Sequence, residues 1–314
     1  YSCRNGACST CKGKVVSGSF EAGPAPGQLL TAEELADGYT LMCQVRPDSD
    51  LVIESTEVRL ASDIEIRKLP SRVIAMTRAA PDVMVLSLQL PATETFRYYA
   101  GQYVEVILKD GRRRSYSMAG APHKGGPLEL HIRHMPGGVF TDHVFGAGAT
   151  QMKEREILRL EGPFGSFFLR EDSDKPVVLL ASGTGFAPVK AIVEHMIHKA
   201  IRRPVRLYWG GRRPHDLYMD ELARSWEGQL ADFRYTPVVS DALPEDGWTG
   251  RTGFVHEAVM QDIPDLSGWQ VYACGAPVMV EAARRDFSAR CGLPGDEFYA
   301  DAFTSEADVA AVKD

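Results

Sequence analysis

The sequence predicts a multidomain protein that combines α+β and α/β folds. Its 314 residues are more than one ordinary domain needs to bury a core. From Ser71 to about Phe168, short alternating stretches are separated by proline and glycine, which predicts a small antiparallel β-barrel. After Lys175, apolar strands are followed by glycine turns and amphipathic helices. Repeated βα units of this kind imply a parallel sheet.

The N-terminal part forms a third, smaller domain. Thr31 to Glu34 has the form of a capping box and predicts a short helix that ends near Gly38. Leu51 to Ser55 predicts a closing strand. The resulting predicted division is an N-terminal domain at 1–60, a linker at 61–70, the barrel at 71–172 and the α/β domain at 173–314.

Within the two larger domains, hydrophobic periodicity predicts individual elements. The predicted barrel strands are Val83 to Leu90, Gln102 to Leu108 and Leu128 to Met135. The predicted pairs of strand and helix are Val177 to Ala181 with Pro188 to Lys199, and Val271 to Ala273 with Val278 to Arg290. Both pairs have glycine after the strand, at the edge of the sheet where α/β proteins bind ligands.

Composition and charge argue against several classes of function. The chain is 44% hydrophobic and 25% charged, with a net charge of −7, which is typical of a globular protein and argues against nucleic acid as a partner. Its apolar stretches are far shorter than the roughly 20 residues of a membrane span. Four clustered cysteines and two isolated ones, Cys274 and Cys291, suit a reducing compartment. We therefore expect a cytoplasmic protein without a membrane span.

Four cysteines form the most specific pattern in the chain. Cys3, Cys8, Cys11 and Cys43 read C-x4-C-x2-C and then one distant cysteine, which is the ligand spacing of a plant-type [2Fe–2S] cluster. The residues between the first three are small or turn-forming, as close approach of the backbone to the sulfides requires. Structural zinc is the alternative, although only Cys8 and Cys11 form one of the close pairs that zinc sites use. Disulfides would close very short, strained loops.

Arg114-Ser115-Tyr116-Ser117 lies on a predicted barrel strand. Side chains alternate along a strand, so Arg114 and Tyr116 share one face. A guanidinium can bind a phosphate bidentately, a tyrosine ring can cover a flat heterocycle, and Ser117 can offer a hydroxyl to a ring nitrogen. The combination fits a flavin nucleotide. An exposed arginine beside a core tyrosine is the structural alternative.

A glycine-rich segment follows this strand. Pro136 to Thr141 places Gly137, Gly138 and a threonine hydroxyl at a predicted helix start. Helix N-termini bind phosphate groups, so the segment is a candidate phosphate site. The alternative is an ordinary glycine turn in which Thr141 is the N-cap.

Two segments of the α/β domain suit a dinucleotide. Gly183-Thr184-Gly185-Phe186-Ala187-Pro188 follows the first apolar strand and opens a helix. Pro188 replaces the third glycine of G-x-G-x-x-G, so the segment is not the ordinary Rossmann fingerprint. Tyr272 to Pro277 ends a later strand. Cys274 there either borders a nicotinamide ring or is a buried, inert thiol.

Four motifs together resemble the ferredoxin–NADP reductase superfamily, in the oxygenase-reductase branch with an N-terminal plant-type ferredoxin domain. They are R-x-Y-S at 114–117, G-G-x-F-T at 137–141, G-T-G-x-A-P at 183–188 and C-G-x-P at 274–277. The resemblance covers almost the whole chain. It implies a partial β-grasp ferredoxin domain, an antiparallel flavin-binding β-barrel and a parallel nicotinamide-binding α/β domain. Because ferredoxin domains of this type have a hairpin and a helix before the cluster loop, we expect further residues upstream of Tyr1.

The resemblance also implies a role for each matching residue. FAD is expected on the barrel, with Arg114 on its pyrophosphate, Tyr116 against the isoalloxazine ring and Ser117 near N5. Ser117 and Cys274 are the implied catalytic residues. The other implied cofactor-binding residues are Gly137, Gly138 and Thr141 at the phosphates, Gly183, Thr184, Gly185 and Pro188 around the nicotinamide cofactor, Gly275 near its ring, and Phe303 over the flavin.

The segment from Gly210 to Tyr218 bears on the choice between NADH and NADPH. Arg212 and Arg213 could grip a 2′-phosphate. However, G-x-R-x-x-x-D-L-Y segments are similar to those of NADH-using oxygenase reductases, in which the aspartate, here Asp216, and the backbone position the adenosine. We therefore predict NADH.

The predicted function is the conversion of two-electron into one-electron transfer. NADH reduces FAD, and single electrons then pass through the [2Fe–2S] cluster to an electron-accepting protein. The acceptor is an oxygenase component or, alternatively, a dehydrase of deoxysugar biosynthesis, because the segments 137–142 and 298–303 are similar to reductases for CDP-6-deoxy-Δ3,4-glucoseen. A sensor that keeps the cofactors without turnover is a further alternative.

Overall fold

The computed structural model of the chain describes residues 11–23, 30–54 and 64–303. Its N-terminal part is built from short strands around one helix. These elements are β1 (Lys12–Ser17), β2 (Phe20–Glu21), α1 (Ala32–Ala36), β3 (Tyr39–Leu41), β4 (Arg46–Pro47) and β5 (Val52–Glu54). β1 pairs antiparallel with β3 and β5, and β2 pairs with β4. Thr31 and Glu34 form the predicted capping box of α1, and the predicted closing strand is β5.

The middle part is the predicted antiparallel barrel. Its elements are β6 (Arg67–Ala80), β7 (Val83–Gln89), β8 (Tyr103–Ile107), β9 (Arg113–Ser117), β10 (Leu128–Arg133), α2 (Val139–Phe145) and β11 (Ile157–Phe164). The strand order is β10-β7-β6-β11-β8-β9. A bridge between Met118 and Leu130 returns the end of β9 to β10, so the two outer strands of this order meet. α2 lies directly after β10 and contributes Phe140 and Val144 to the barrel core.

The first barrel strand begins earlier than predicted. Arg67 already pairs with Gly162 of β11, and Leu69 is buried in the barrel. The alternation of buried and exposed residues on β6 starts at Leu69 and continues through Ser71 and Val73. Residues 67–70 of the predicted linker therefore belong to the barrel.

The C-terminal part is a parallel sheet covered on both faces, as predicted. Its elements are β12 (Val177–Ser182), α3 (Phe186–His198), β13 (Val205–Gly211), α4 (Asp220–Ser225), β14 (Phe233–Val239), β15 (Arg251–Thr252), α5 (Val255–Asp262), β16 (Gln270–Gly275), α6 (Pro277–Cys291) and β17 (Phe298–Ala302). The order is β15-β14-β13-β12-β16-β17, and every adjacent pair is parallel. Val177 and Leu179 of β12 face one core, and Val178 faces the other. Within the ranges given above, no helix is long and apolar enough to cross a bilayer.

The barrel and the α/β domain meet at a buried polar interface. Lys190 on α3 is only 5% exposed, and its Nζ lies 3.1 Å from Oε1 of Glu129 on β10 and 3.1 Å from Oε1 of Glu194. The same ammonium donates to the carbonyl of Ala119 at 3.2 Å. Breaking a buried pair of this kind is costly, because it leaves a charge without compensation. The interface therefore holds the two domains in a defined orientation.

Acid should weaken this interface through Glu129. Burial alone would raise the pKa of Glu129, but the hydrogen bond from His131 and the charge of Lys190 lower it to about 2 from an ordinary value of 4.5. Because the pKa is lowered by folding, the carboxylate stabilises the fold above the ordinary value, and this contribution disappears as the pH falls toward the folded pKa. We expect Glu129→Gln to flatten the acid dependence of the unfolding free energy between about pH 5 and about pH 2. Urea titrations followed by tryptophan fluorescence measure this, and an unchanged acid dependence would contradict it.

Candidate functional site

The strand β9 presents the predicted flavin-binding side chains. Arg113 and Ser115 are exposed, whereas Arg114 and Tyr116 are half-buried on the opposite face. The predicted shared face of Arg114 and Tyr116 is therefore confirmed. Tyr116 keeps its proton at neutral pH, because burial raises the pKa of its hydroxyl.

Ser117 ends this strand with an unsatisfied hydroxyl. The residue is 5% exposed, and its Oγ is buried without a hydrogen-bond partner among the residues that the structure describes. Leaving a buried polar group unsatisfied costs about 1–3 kcal/mol, so native structures rarely do so without a reason. A ring nitrogen of a bound flavin would satisfy the hydroxyl. The residues of this strand therefore fit FAD.

α2 brings the glycine-rich segment against β9. The ring centroids of Phe140 and Tyr116 lie 5.4 Å apart. Gly138 is the N-cap, and a Cβ there would lie 2.6 Å from Thr141 Oγ1 and 2.8 Å from the carbonyl oxygen of Met135, so only glycine fits without a shift. Thr141 Oγ1 donates to that same carbonyl at 2.8 Å. The alternative with Thr141 as N-cap is wrong, because Thr141 lies within the first turn of α2 and Gly138 is the N-cap. Gly137 precedes this turn with a φ of 83°.

The two predicted nicotinamide loops pack against each other at the carboxyl ends of β12 and β16. A Cβ on Gly185 would lie 2.2 Å from the carbonyl oxygen of Cys274, and a Cβ on Gly275 would lie 2.3 Å from Ser182 Oγ. The N–H of Ala276 donates to that Oγ at 2.9 Å. Thr184 is buried beside Gly183 in this loop, and Pro188 is buried in the first turn of α3. The glycines of both motifs are thus needed for the backbones to approach.

Cys274 is a buried, neutral thiol. Burial, and then the negative charge of Asp301, raise the pKa of Cys274 well above its usual value. Asp301 lies directly opposite Cys274 in the register of β16 and β17 and is 5% exposed. Phe303 packs against the core that contains Cys274, and its N–H donates to the carbonyl of Gly275 at 2.8 Å. Sequence analysis missed Asp301, although one acidic residue within the apolar segment Phe298–Ala302 was an available signal.

The segment after β13 places Asp216 among hydrogen-bond donors from two domains. The carboxylate is buried, and its Oδ2 accepts from the N–H groups of Arg212 at 2.8 Å and Arg213 at 3.1 Å. Its Oδ1 accepts from Nη2 of Arg133 on β10 at 2.9 Å. These contacts hold Asp216 against the barrel, and its predicted contact with adenosine stays a prediction.

The two arginines of this segment have different surroundings. Arg213 forms a bidentate pair with Asp246, with distances of 2.8 and 2.7 Å. The Arg212 side chain is exposed. Sequence analysis also missed Arg133, whose Nη1 would lie 2.5 Å from a Cβ on Gly183. No local pattern around Arg133 indicates this contact, because Gly183 and Asp216 lie in another domain.

Two of the four predicted cluster ligands lie in the described part of the chain. Lys12 pairs with Leu41, and the N–H of Met42 donates to the carbonyl of Cys11 at 3.0 Å. Cys11 and Cys43 therefore lie at the same end of the β1–β3 pair. Cys43 Sγ accepts from Gln44 Nε2 at 3.6 Å, the kind of donor that surrounds cluster thiolates. Both residues suit thiolate ligation, whereas Cys3 and Cys8 lie outside the described residues.

Comparison with protein-family models finds all three expected domains. Residues 1–48 match a 2Fe-2S iron-sulfur cluster binding domain, residues 70–169 match an oxidoreductase FAD-binding domain, and residues 179–285 match an oxidoreductase NAD-binding domain. The cofactor set of FAD, NAD and [2Fe–2S] is therefore confirmed at the level of domains.

The known proteins similar to this chain include reductases of several systems. The CDP-6-deoxy-L-threo-D-glycero-4-hexulose-3-dehydrase reductase of Yersinia pseudotuberculosis is 43% identical over 96% of this chain and 88% of that protein. Reductase component 1 of terephthalate 1,2-dioxygenase from Comamonas sp is 34% identical over 97% of this chain and 88% of that protein. The crystal structure of the Amycolatopsis cytochrome P450 reductase GcoB is 35% identical and matches with a TM-score of 0.76 over 97% of this chain and 90% of that one. The chain thus belongs to the ferredoxin–NADP reductase superfamily, in the oxygenase-reductase branch whose flavoprotein oxidoreductases transfer electrons from a nicotinamide through FAD to a [2Fe–2S] cluster.

Proposed function

We propose that this reductase takes its electrons from NADH, at the site formed by Ser117 and the 183–185 and 274–276 loops, and delivers them to an oxygenase component. The observation that carries the proposal is the buried Ser117 hydroxyl, which has no hydrogen-bond partner within the described residues and lies on a strand of the FAD-binding domain. A bound FAD supplies the chemistry, because it accepts a hydride and releases electrons singly.

The residues of this chain bind and orient the cofactors in this proposal. Arg114 binds the pyrophosphate, Tyr116 covers the ring as a neutral phenol, and Ser117 holds a hydrogen bond to the ring nitrogen. Cys274 borders the nicotinamide as a neutral thiol, since its raised pKa keeps the proton on sulfur. A buried thiol at this position keeps water away from hydride transfer.

Removing the Ser117 hydroxyl should slow flavin reduction by NADH by roughly 10²-fold, because a preorganised hydrogen bond to the reacting group is lost. Ser117→Ala is expected to leave the thermal stability of the apoprotein unchanged or higher, since the hydroxyl has no partner in the described structure. Stopped-flow measurement of flavin bleaching gives the rate constant.

Ser71→Ala is the matched control for this variant. Ser71 is also a buried barrel serine, but its Oγ donates to the carbonyl of Leu158 at 3.2 Å. Its replacement should cost about 1 kcal/mol of stability and leave the rate of flavin reduction unchanged. Equal rates for Ser117→Ala and the wild type would refute the proposed contact.

The preference for NADH is supported by the surroundings of the two arginines. A 2′-phosphate is bound best by several positive groups, and the guanidinium of Arg213 is already paired with Asp246. We expect higher initial rates with NADH than with NADPH at equal, low concentrations. A strong preference for NADPH would contradict this choice.

A second candidate acceptor is a dehydrase of the CDP-hexulose type. The Yersinia relative is 43% identical and carries such a name, against 34% for the Comamonas dioxygenase reductase. Anaerobic reconstitution of the full-length reductase with each purified acceptor distinguishes the two, because only the true partner should be reduced at a rate that matches turnover. We place the reaction in the cytoplasm, where the buried thiols of Cys274 and Cys291 stay reduced.

A further inference from the structure

The segment 212–218 is attached to the barrel at two points. Asp216 contacts Arg133 and Tyr218 contacts His131, with both barrel residues on β10. Asp216 and Tyr218 are two positions apart in this segment, and His131 and Arg133 are two positions apart on β10. Because side chains two positions apart on a strand share a face, one face of β10 holds this segment at both contacts. We name His131, Arg133, Asp216 and Tyr218 the interdomain clamp.

The first contact of the clamp is an ion pair whose carboxylate is buried. Asp216 is 4% exposed, and its Oδ1 lies 2.9 Å from Arg133 Nη2. Nε of the same guanidinium donates to Asp82 Oδ2 at 2.7 Å, which fixes Arg133 on the barrel side. A guanidinium with a carboxylate on each side is held in one orientation. Asp216 is therefore directed toward the barrel.

The second contact has a defined arrangement of protons. The His131 side chain is fully buried, with Nε2 lying 2.8 Å from Glu129 Oε1 and Nδ1 lying 2.7 Å from Tyr218 Oη. A carboxylate only accepts, so Nε2 carries the proton and donates to Glu129. Burial lowers the pKa of His131 and favours the neutral ring, whose Nδ1 then accepts from the hydroxyl of Tyr218. The tyrosine hydroxyl thus spans the two domains.

The clamp is connected to the nicotinamide loop on one side and to the flavin strand on the other. The Tyr218 ring packs edge-on against Trp209 at 5.2 Å, and Trp209 Nε1 donates to the carbonyl of Gly183 at 3.0 Å. On the barrel side, β10 bonds to the segment that directly follows Ser117, through the N–H of Ala119 and the carbonyl of Glu129 at 2.8 Å. A short series of contacts therefore joins the nicotinamide loop to the flavin strand.

We propose that the interdomain clamp positions the nicotinamide loop over the flavin strand, and that Tyr218 and Asp216 are positioning residues for hydride transfer. The proposal rests on the proposed transfer of hydride from NADH. A misplacement of about 1 Å between reacting groups can cost about 10²-fold in rate, so a loosened domain interface lowers the rate of hydride transfer without weakening NADH binding.

Tyr218→Phe tests the proposal, because it removes the bridging hydroxyl and keeps the ring against Trp209. With the FAD-loaded full-length protein, we expect the limiting rate of flavin bleaching at saturating NADH to fall about tenfold. The dissociation constant for NADH, from the concentration dependence of the same traces, should change less than twofold. A larger change in the dissociation constant than in the limiting rate, or no change in either, would overturn the proposal.

His131→Phe provides a second variant, and Tyr235→Phe is the matched control. His131→Phe removes the acceptor of the Tyr218 hydroxyl, so adding Tyr218→Phe to it should cause no further loss of rate. Additive losses would overturn the pairing. Tyr235 donates to Asp220 at 2.8 Å within the α/β domain, so Tyr235→Phe should lose stability but retain the wild-type rate.

The failure of this proposal differs from a failure of the proposed function. If NADH does not bleach the flavin of the wild type, hydride transfer from NADH itself is refuted. If the wild type is bleached and Tyr218→Phe is bleached equally fast, only the positioning role is refuted.

Discussion

Gly185→Ala should slow the reduction of the flavin by NADH on the order of 10²-fold while FAD stays bound. The added Cβ would lie 2.2 Å from the carbonyl oxygen of Cys274 and 2.8 Å from the Cα of Gly275. Both are backbone atoms at the end of a buried strand, so no side-chain rotation relieves the contact. The two nicotinamide loops must move apart by roughly an ångström, and displacements of this size near reacting groups are costly. Stopped-flow bleaching gives the rate, and the flavin absorbance of the purified protein gives FAD content.

Gly268→Ala is the control for this substitution. Gly268 precedes β16 in the same domain, and a Cβ there would have nothing within 4 Å. The control should keep the wild-type rate and stability, because alanine also restricts the unfolded chain. A Gly185→Ala protein that reduces its flavin as fast as the control would show that the close approach of the loops is not needed.

Cys43→Ser should abolish one-electron transfer through the cluster and leave flavin reduction by NADH intact. Cys43 lies with Cys11 at the same end of the β1–β3 pair, and thiolates are the ligands of plant-type clusters. Serine replaces a soft thiolate by a weakly acidic hydroxyl, so iron content and the visible cluster absorbance should fall to near background. Cytochrome c reduction by NADH should fall with them. Iron analysis and anaerobic spectra of the full-length protein measure both effects.

Cys291→Ala separates cluster loss from general damage. Cys291 is a buried thiol at the end of α6. It lies in the core on the face of the parallel sheet opposite to the core that contains Cys274. Its replacement should retain full iron content and full cytochrome c reduction. If Cys43→Ser retains the cluster, the assignment of the fourth ligand is wrong.

Most of the fold followed from local patterns. The capping box of Thr31 and Glu34 predicted α1, because its hydrogen bonds join residues three apart. The apolar strand and glycine turn before α3 predicted that βα unit, because both features are visible within a few neighbouring residues. The predicted barrel boundary at residue 71 left out the first residues of β6, because the pairing of Arg67 with Gly162 depends on a strand far along the chain.

The candidate site was predicted less completely than the fold. Ser117, Gly185, Cys274 and Gly275 were named from motifs, and the structure brings the last three together. The roles of single charged residues were harder to predict. Asp216 was predicted at the adenosine from its motif, but its hydrogen bonds from groups on two domains were not predicted. Asp301 was missed, because its effect depends on the parallel register of β16 and β17.

The sequence by itself determined the three domains, their order and the set of cofactors. The reason is that cluster ligation, strand alternation and nucleotide loops are recorded in spacings of a few residues. Only the tertiary structure decided which polar side chains hold the domains together. Arg133 and Asp216 are 83 positions apart, and no local spacing specifies a contact across that distance. Such contacts arise when two independently folded surfaces pack, and buried charges must then find partners on the opposite side.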